Sequence, residues 1–140
     1  MTTRPAANDP WTWIFSLSGL GNLANGLWML ADPAHWYATL PAAVPDFGPL
    51  NEHFVRDIGA TFTMLGLGLL WATVRPAARL PVLVLVTLFN ALHALVHVWD
   101  TSRGLVGPEH WRIDFPAVYL PTVVLIVLTA LLVRRGEARA

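Results

Sequence analysis

The sequence predicts an all-α protein, an antiparallel bundle of four transmembrane helices with both termini cytoplasmic. Three observations carry that expectation. The chain is 55% hydrophobic and only 13% charged, where ordinary soluble domains hold about 25% charged residues. It contains four apolar stretches near the ~20 residues that a helix needs to cross the hydrocarbon core. Proline and tryptophan punctuate the ends of those stretches rather than their middles.

The first span is expected over about 11–31, beginning just after Pro10 and ending before Pro33. It reads as a span or an uncleaved signal anchor. A removable signal peptide fits poorly, since only Arg4 precedes the span and Asn22 and Asn25 fall where such a peptide is apolar. A long link follows, with Pro33, Pro41, Pro45, Pro49 and Gly48. Its Trp36, Tyr37 and Phe47 suit a cap lying along the outer interface. The second span is expected over about 51–74. A tight turn of Arg75 to Arg79 leads to the third, about 80–99. A shorter polar link, 101–114, leads to the fourth, about 115–133. Pro121 is the one proline well inside a span and predicts a kink there. The whole of 1–140 reads as a single integral membrane domain.

Arginine placement sets the orientation. Arg4, Arg75, Arg79, Arg134, Arg135 and Arg139 fall on one side and Arg56, Arg103 and Arg112 on the other, which puts both termini in the cytoplasm. The expected location is the bacterial inner (plasma) membrane. Most acids and all five histidines fall on the outer half. With no net charge, no lysine and no basic patch, a nucleic-acid partner is not expected. The absence of cysteine excludes disulfides, thiolate metal sites and cysteine nucleophiles.

The chemistry-bearing residues gather at the outer ends of spans two and three. His53 and Asp57 are one helical turn apart, and Asn90, His93, His97 and Asp100 form one stripe on span three. In an antiparallel hairpin the two stripes converge, His53 near Asp100 and Asp57 near His97. Asn22 and Asn25 on span one and Tyr119 on span four stand at similar depth. Ionisable groups at membrane depth are costly and face the interior or a water-filled cavity, so an outward-opening polar site is expected. Imidazole with carboxylate suits zinc, iron, manganese or copper. His53, His93 and His97 are the expected first ligands, Asp57 or Asp100 the fourth, with the other acid orienting an imidazole from behind. A bound water of lowered pKa would serve hydrolysis, and iron or copper would serve redox chemistry. Haem b between His53 and His93 or His97 fits less well, because nothing selects a porphyrin over a bare ion. His35 and His110 sit at headgroup level, with His110 able to reach the cavity mouth.

Plainer readings stand beside this one. Glu52 and Arg56 are spaced to pair with each other, and a hydrogen-bonded histidine network can be purely structural. A proton-relay or ligand-binding protein is a second possibility. A relay through the whole bilayer has only Thr73, Thr87 and Thr129 as stepping stones in the apolar inner halves. An accessory subunit of a larger membrane complex is a third. Partners therefore include the bilayer, a small lipophilic or periplasmic ligand, and copies of this chain or other subunits. Gly59, Thr63 and Gly66, with Gly19 and Gly26, read as stripes for close helix packing.

The element Asn51-Glu52-His53-Phe54-Val55-Arg56-Asp57-Ile58-Gly59, after a first span and a long proline- and aromatic-containing loop, resembles the small four-helix DoxX-like membrane proteins. That resemblance implies a four-helix membrane fold and an association with quinone-linked redox systems, and it supplies no residue roles. The His93-x-x-x-His97-x-x-Asp100 stripe is not part of that pattern. It is similar in kind to membrane hydrolases that hold zinc with three histidines and an aspartate, although those have about seven spans.

Overall fold

The computed structural model describes residues 9–137, so Arg4 and Arg139 of the orientation argument lie outside the described residues. Every regular element among them is helical: α1 (Pro10–Ala31), α2 (Pro33–Thr39), α3 (Glu52–Val74), α4 (Arg79–Ser102), α5 (His110–Ile113) and α6 (Leu120–Glu137). Short 3₁₀ turns occupy Val44–Phe47 and Pro76–Ala78, and a π-helical turn occupies Phe115–Tyr119. Three helical segments are long and apolar enough to cross a membrane: Glu52–Val74, Pro76–Ser102 and Phe115–Gly136. This is the mark of an integral membrane protein. α1 is 22 residues long and is not among those three, its serines, asparagines and glycines lowering its hydropathy. Large apolar side chains such as Leu85, Leu92, Leu95, Ile126 and Val127 are exposed, as lipid-facing residues are.

The chain divides into two compact units, 1–39 with 50–82 and 40–49 with 83–140. In the first, α1 and α3 pack antiparallel at backbone distance. A Cβ on Gly26 would lie 2.5 Å from the Thr63 nitrogen and 2.7 Å from the Gly59 carbonyl. One on Gly66 would lie 2.6 Å from the Leu23 nitrogen. These glycines are therefore packing residues, as the stripes predict. Ser16 Oγ donates to Thr73 Oγ1 at 3.4 Å nearer the other end of the pair. Asp9 caps α1 through the Trp11 amide. It also pairs with Arg79, which is buried, donates to Thr12 Oγ1 at 3.0 Å and lies over the Phe15 ring. That clasp ties the start of α1 to the α3–α4 turn. At the opposite end α2 folds back: Trp36 Nε1 donates to Asn25 Oδ1 at 3.0 Å, and Trp28 Nε1 donates to His35 Nδ1 at 3.1 Å.

In the second unit, the N-terminal part of the fourth expected span is not a plain kinked α-helix. Val118 and Tyr119 amides both donate to the Asp114 carbonyl, at 2.8 and 3.3 Å, so one π turn precedes α6. Pro121, which has no N–H to give, follows this turn and sits at the second position of α6. The irregularity thus falls one turn earlier than the proline itself. α4 and α6 are joined by Thr87 Oγ1···Thr129 Oγ1 at 2.8 Å and by Thr122 Oγ1 donating to the Asn90 carbonyl at 3.2 Å.

Candidate functional site

The second unit holds a continuous chain of ionisable side chains. His97 projects from the last turns of α4, and its Nδ1 lies 2.8 Å from Asp114 Oδ2. The other oxygen, Asp114 Oδ1, lies 3.3 Å from His110 Nδ1. His110 Nε2 in turn lies 3.2 Å from Asp46 Oδ2, on the 3₁₀ turn of the long loop. Asp114 and His110 are both 0% exposed, whereas the Asp46 side chain is 52% exposed. At the inner end the His93 ring stands edge-on to that of His97, centroids 4.6 Å apart, and lies parallel to Phe89. The order is therefore Asp46, His110, Asp114, His97, His93, from solvent into α4.

Local sequence explains how each member is held. His93 and His97 share a helix face because they are one turn apart. His110 and Asp114 are likewise four apart, across the single turn of α5. Asp114 stands where α5 gives way to the π turn, and π turns recur at functional positions because they re-aim side chains within a helix. Asp46 and Phe47 are presented by a turn flanked by two left-handed residues, Ala43 (φ 49°) and Gly48 (φ 126°). The Phe47 ring packs edge-on against both His97 (4.9 Å) and His110 (4.8 Å), covering the middle of the chain.

The hydrogen-bond arithmetic favours the protonated form of His110. A neutral imidazole has one N–H, yet both His110 nitrogens face carboxylate oxygens. The imidazolium donates to both. Burial works against that charge, but the hydrogen bonds and charges of Asp114 and Asp46 outweigh it, and the His110 pKa stands above the ordinary value of 6.5. The His97 Nδ1 contact with Asp114 leaves Nε2 as the imidazole nitrogen not engaged by that carboxylate. The buried hydroxyls of Thr101 and Tyr119 face each other, and the Tyr119 ring stacks on Trp111.

The expected site residues fall in several places. His93 and His97 come together in the second unit. His53 and Asp57 pair with each other at 3.5 Å in the first, the His53 side chain 83% exposed. Glu52 and Arg56 pair at 2.8 Å, as their spacing predicts. Three supporting polar residues serve local structure. Asn22 donates to the Ser18 carbonyl, Asn90 to the Val86 carbonyl, and Asn25 receives Trp36. Asp100 is half-buried and accepts the Leu105 amide through its backbone carbonyl. Among the described residues no three His, Asp or Glu side chains gather so as to hold a metal ion.

Asp114 and Asp46 were not singled out by the sequence, and His110 only as a residue near the cavity mouth. One signal was there to be read. His110-x-x-x-Asp114 is the same one-turn spacing as His53 and Asp57, placed at the mouth of a span. Asp46 gave none, because its partner lies 64 residues away. Compared with protein-family models, curated proteins and solved structures, the chain finds no match in any of the three.

Proposed function

We propose that this is a four-span membrane protein with an outer-half acid–base site, in which His97 exchanges a proton with a small ligand reaching the outer end of α4. The supporting observation is the 2.8 Å contact between His97 Nδ1 and a fully buried Asp114. A carboxylate behind one imidazole nitrogen fixes the tautomer and leaves the other nitrogen as the base. His110 and Asp46 extend the chain to solvent, which gives the exchanged proton a route. Because the members sit at one end of α4, the relay serves chemistry on one side and not passage across the bilayer. The outline resemblance to DoxX-like proteins is compatible with this reading and adds no residue to it.

The test is nitrogen NMR of histidine-labelled protein in detergent. His97 is expected in the Nδ1–H tautomer at alkaline pH, and Asp114→Asn is expected to abolish that preference. An Nε2–H tautomer in the parent protein would overturn the assignment.

A second reading, binding of zinc, iron, manganese or copper, draws on the same contact. Metal-bound histidines commonly donate their second ring N–H to a carboxylate, and the His93 ring stands beside that of His97. Two imidazoles hold an ion only with further donors from water or a ligand. Near-stoichiometric metal in purified protein, lost in His93→Ala, would favour this reading over the first.

A further inference from the structure

We propose that Asp46 and His110 form a proton-operated latch that holds the Val44–Phe47 turn over His97, and that loss of the His110 proton frees the turn. This deepens the acid–base reading and rests on it for its purpose, though its geometry stands alone. His110 is buried and faces two carboxylates from different parts of the second unit: Asp46 from the long loop, and Asp114 from the start of the π turn. Behind Asp114, on α4, stands His97. Glu109 and Arg112 flank His110 in sequence and are exposed. These are the titratable and charged groups around it.

As imidazolium, His110 donates to both carboxylates. As neutral imidazole it donates to one, and the other then meets a nitrogen lone pair. Burial decides which carboxylate lets go. Asp114 keeps His97 on Oδ2, but its Oδ1 has no exposed surface and no water to replace a lost donor, so losing His110 costs more there. Asp46 is half in solvent and can exchange its partner for water. The break therefore falls between His110 and Asp46. Asp46 adjoins Phe47, whose ring covers His97 and His110, so the cover loosens with it. The left-handed residues on either side, Ala43 and Gly48, mark where the turn would pivot. Covering of His97 is thereby linked to the proton count of the chain: closed when His110 is charged, released when it is neutral.

The chain has no cysteine, so a nitroxide can be placed on Val44→Cys alone and its mobility followed by electron paramagnetic resonance. The label is expected to be slow at neutral pH and to gain a fast component on the alkaline side. Adding Asp46→Asn removes one of the two charges that hold the proton, and should lower the midpoint by about 1 pH unit or more. It should fold, because Asp46 is half-exposed. His110→Gln should give a mobile turn at every pH. Mobility that is constant between about pH 6 and 10, or a midpoint indifferent to Asp46→Asn, would overturn the latch. The His97 tautomer is a separate measurement. A correct tautomer with an immobile turn removes the latch alone. A titrating turn over a histidine in the wrong tautomer keeps the latch and removes the acid–base reading.

Discussion

Asp114 meets one imidazole nitrogen with each oxygen and is wholly buried, so its charge and its shape are both in use. Asp114→Asn keeps the shape, removes the charge, and offers an amide N–H where an acceptor is needed. Breaking a buried ion pair by removing one partner costs about 3–5 kcal/mol. The expected outcome is a large fall in the detergent melting temperature of Asp114→Asn, against little change for Asp46→Asn, whose carboxylate is half-solvated. The pH dependence has a definite sign. The His110 pKa is raised in the folded state, so its contribution is fully present below 6.5 and fades as pH rises through the raised value. A melting-temperature profile should therefore fall on the alkaline side, and His110→Gln should flatten that fall. A profile that rises there would contradict the doubly bonded imidazolium. At this scale the sequence was half legible. His93 and His97 were visible because helical spacing is local. Asp46 was not, because its contact with His110 is made by a loop with no period to read. Asn22 and Asn90 donate to carbonyls of their own helices, and Asn25 accepts from Trp36. An amide within a helix finds a carbonyl four residues back more readily than a distant ligand.

Elements show the opposite balance. The helices and their proline-marked ends were legible because hydrophobic length is set by the bilayer. The Gly19, Gly26, Gly59 and Gly66 stripes were legible because only small residues let two backbones meet. Gly26→Ala places a Cβ 2.5 Å from backbone nitrogen, and backbone cannot step aside as a flexible side chain does. We expect a loss of about 1–3 kcal/mol in a steric-trap or denaturant measurement. Gly21→Ala meets nothing within 4 Å and should be neutral or stabilising by about 0.5–1 kcal/mol. Equal effects from the two would remove the close-packing account. Between α4 and α6, the Thr87–Thr129 hydrogen bond lies within the spans. A double-mutant cycle to valine should return about 0.6 kcal/mol, the ordinary size of such bonds in a bilayer. The π turn was not legible. It depends on one carbonyl accepting two amides, a choice made by the packing of Asp114 and the missing donor of Pro121, not by composition.

At the scale of the molecule the number of crossings turns on α1. Three helices qualify by hydropathy, and α1 falls short because of the same residues that let it pack. We propose that it crosses nonetheless. Its small and polar positions are turned to partners: Gly19 and Gly26 to α3, Ser16 to Thr73, Asn22 to its own backbone, Asn25 to Trp36. Trp13, Leu17, Leu20 and Leu27 remain exposed for lipid. α1 also runs antiparallel along α3, with Ser16 opposite Thr73 near one end and Gly26 opposite Gly59 toward the other. A helix matched so to a spanning partner shares that partner's depth, so the α1–α2 corner and the start of α3 belong on one side and the Arg75 turn on the other. Single cysteines introduced into this cysteine-free chain test it in intact cells. Thr39→Cys and Ser102→Cys should react with an impermeant maleimide, and Ala77→Cys should react only after permeabilisation. A cysteine at position 8, just before α1, should behave like Ala77→Cys. If it reacts from outside together with Thr39→Cys, α1 lies on the membrane instead of crossing it. The clasp of Asp9 with Arg79 would then have to join groups on opposite faces, which a direct ion pair cannot do.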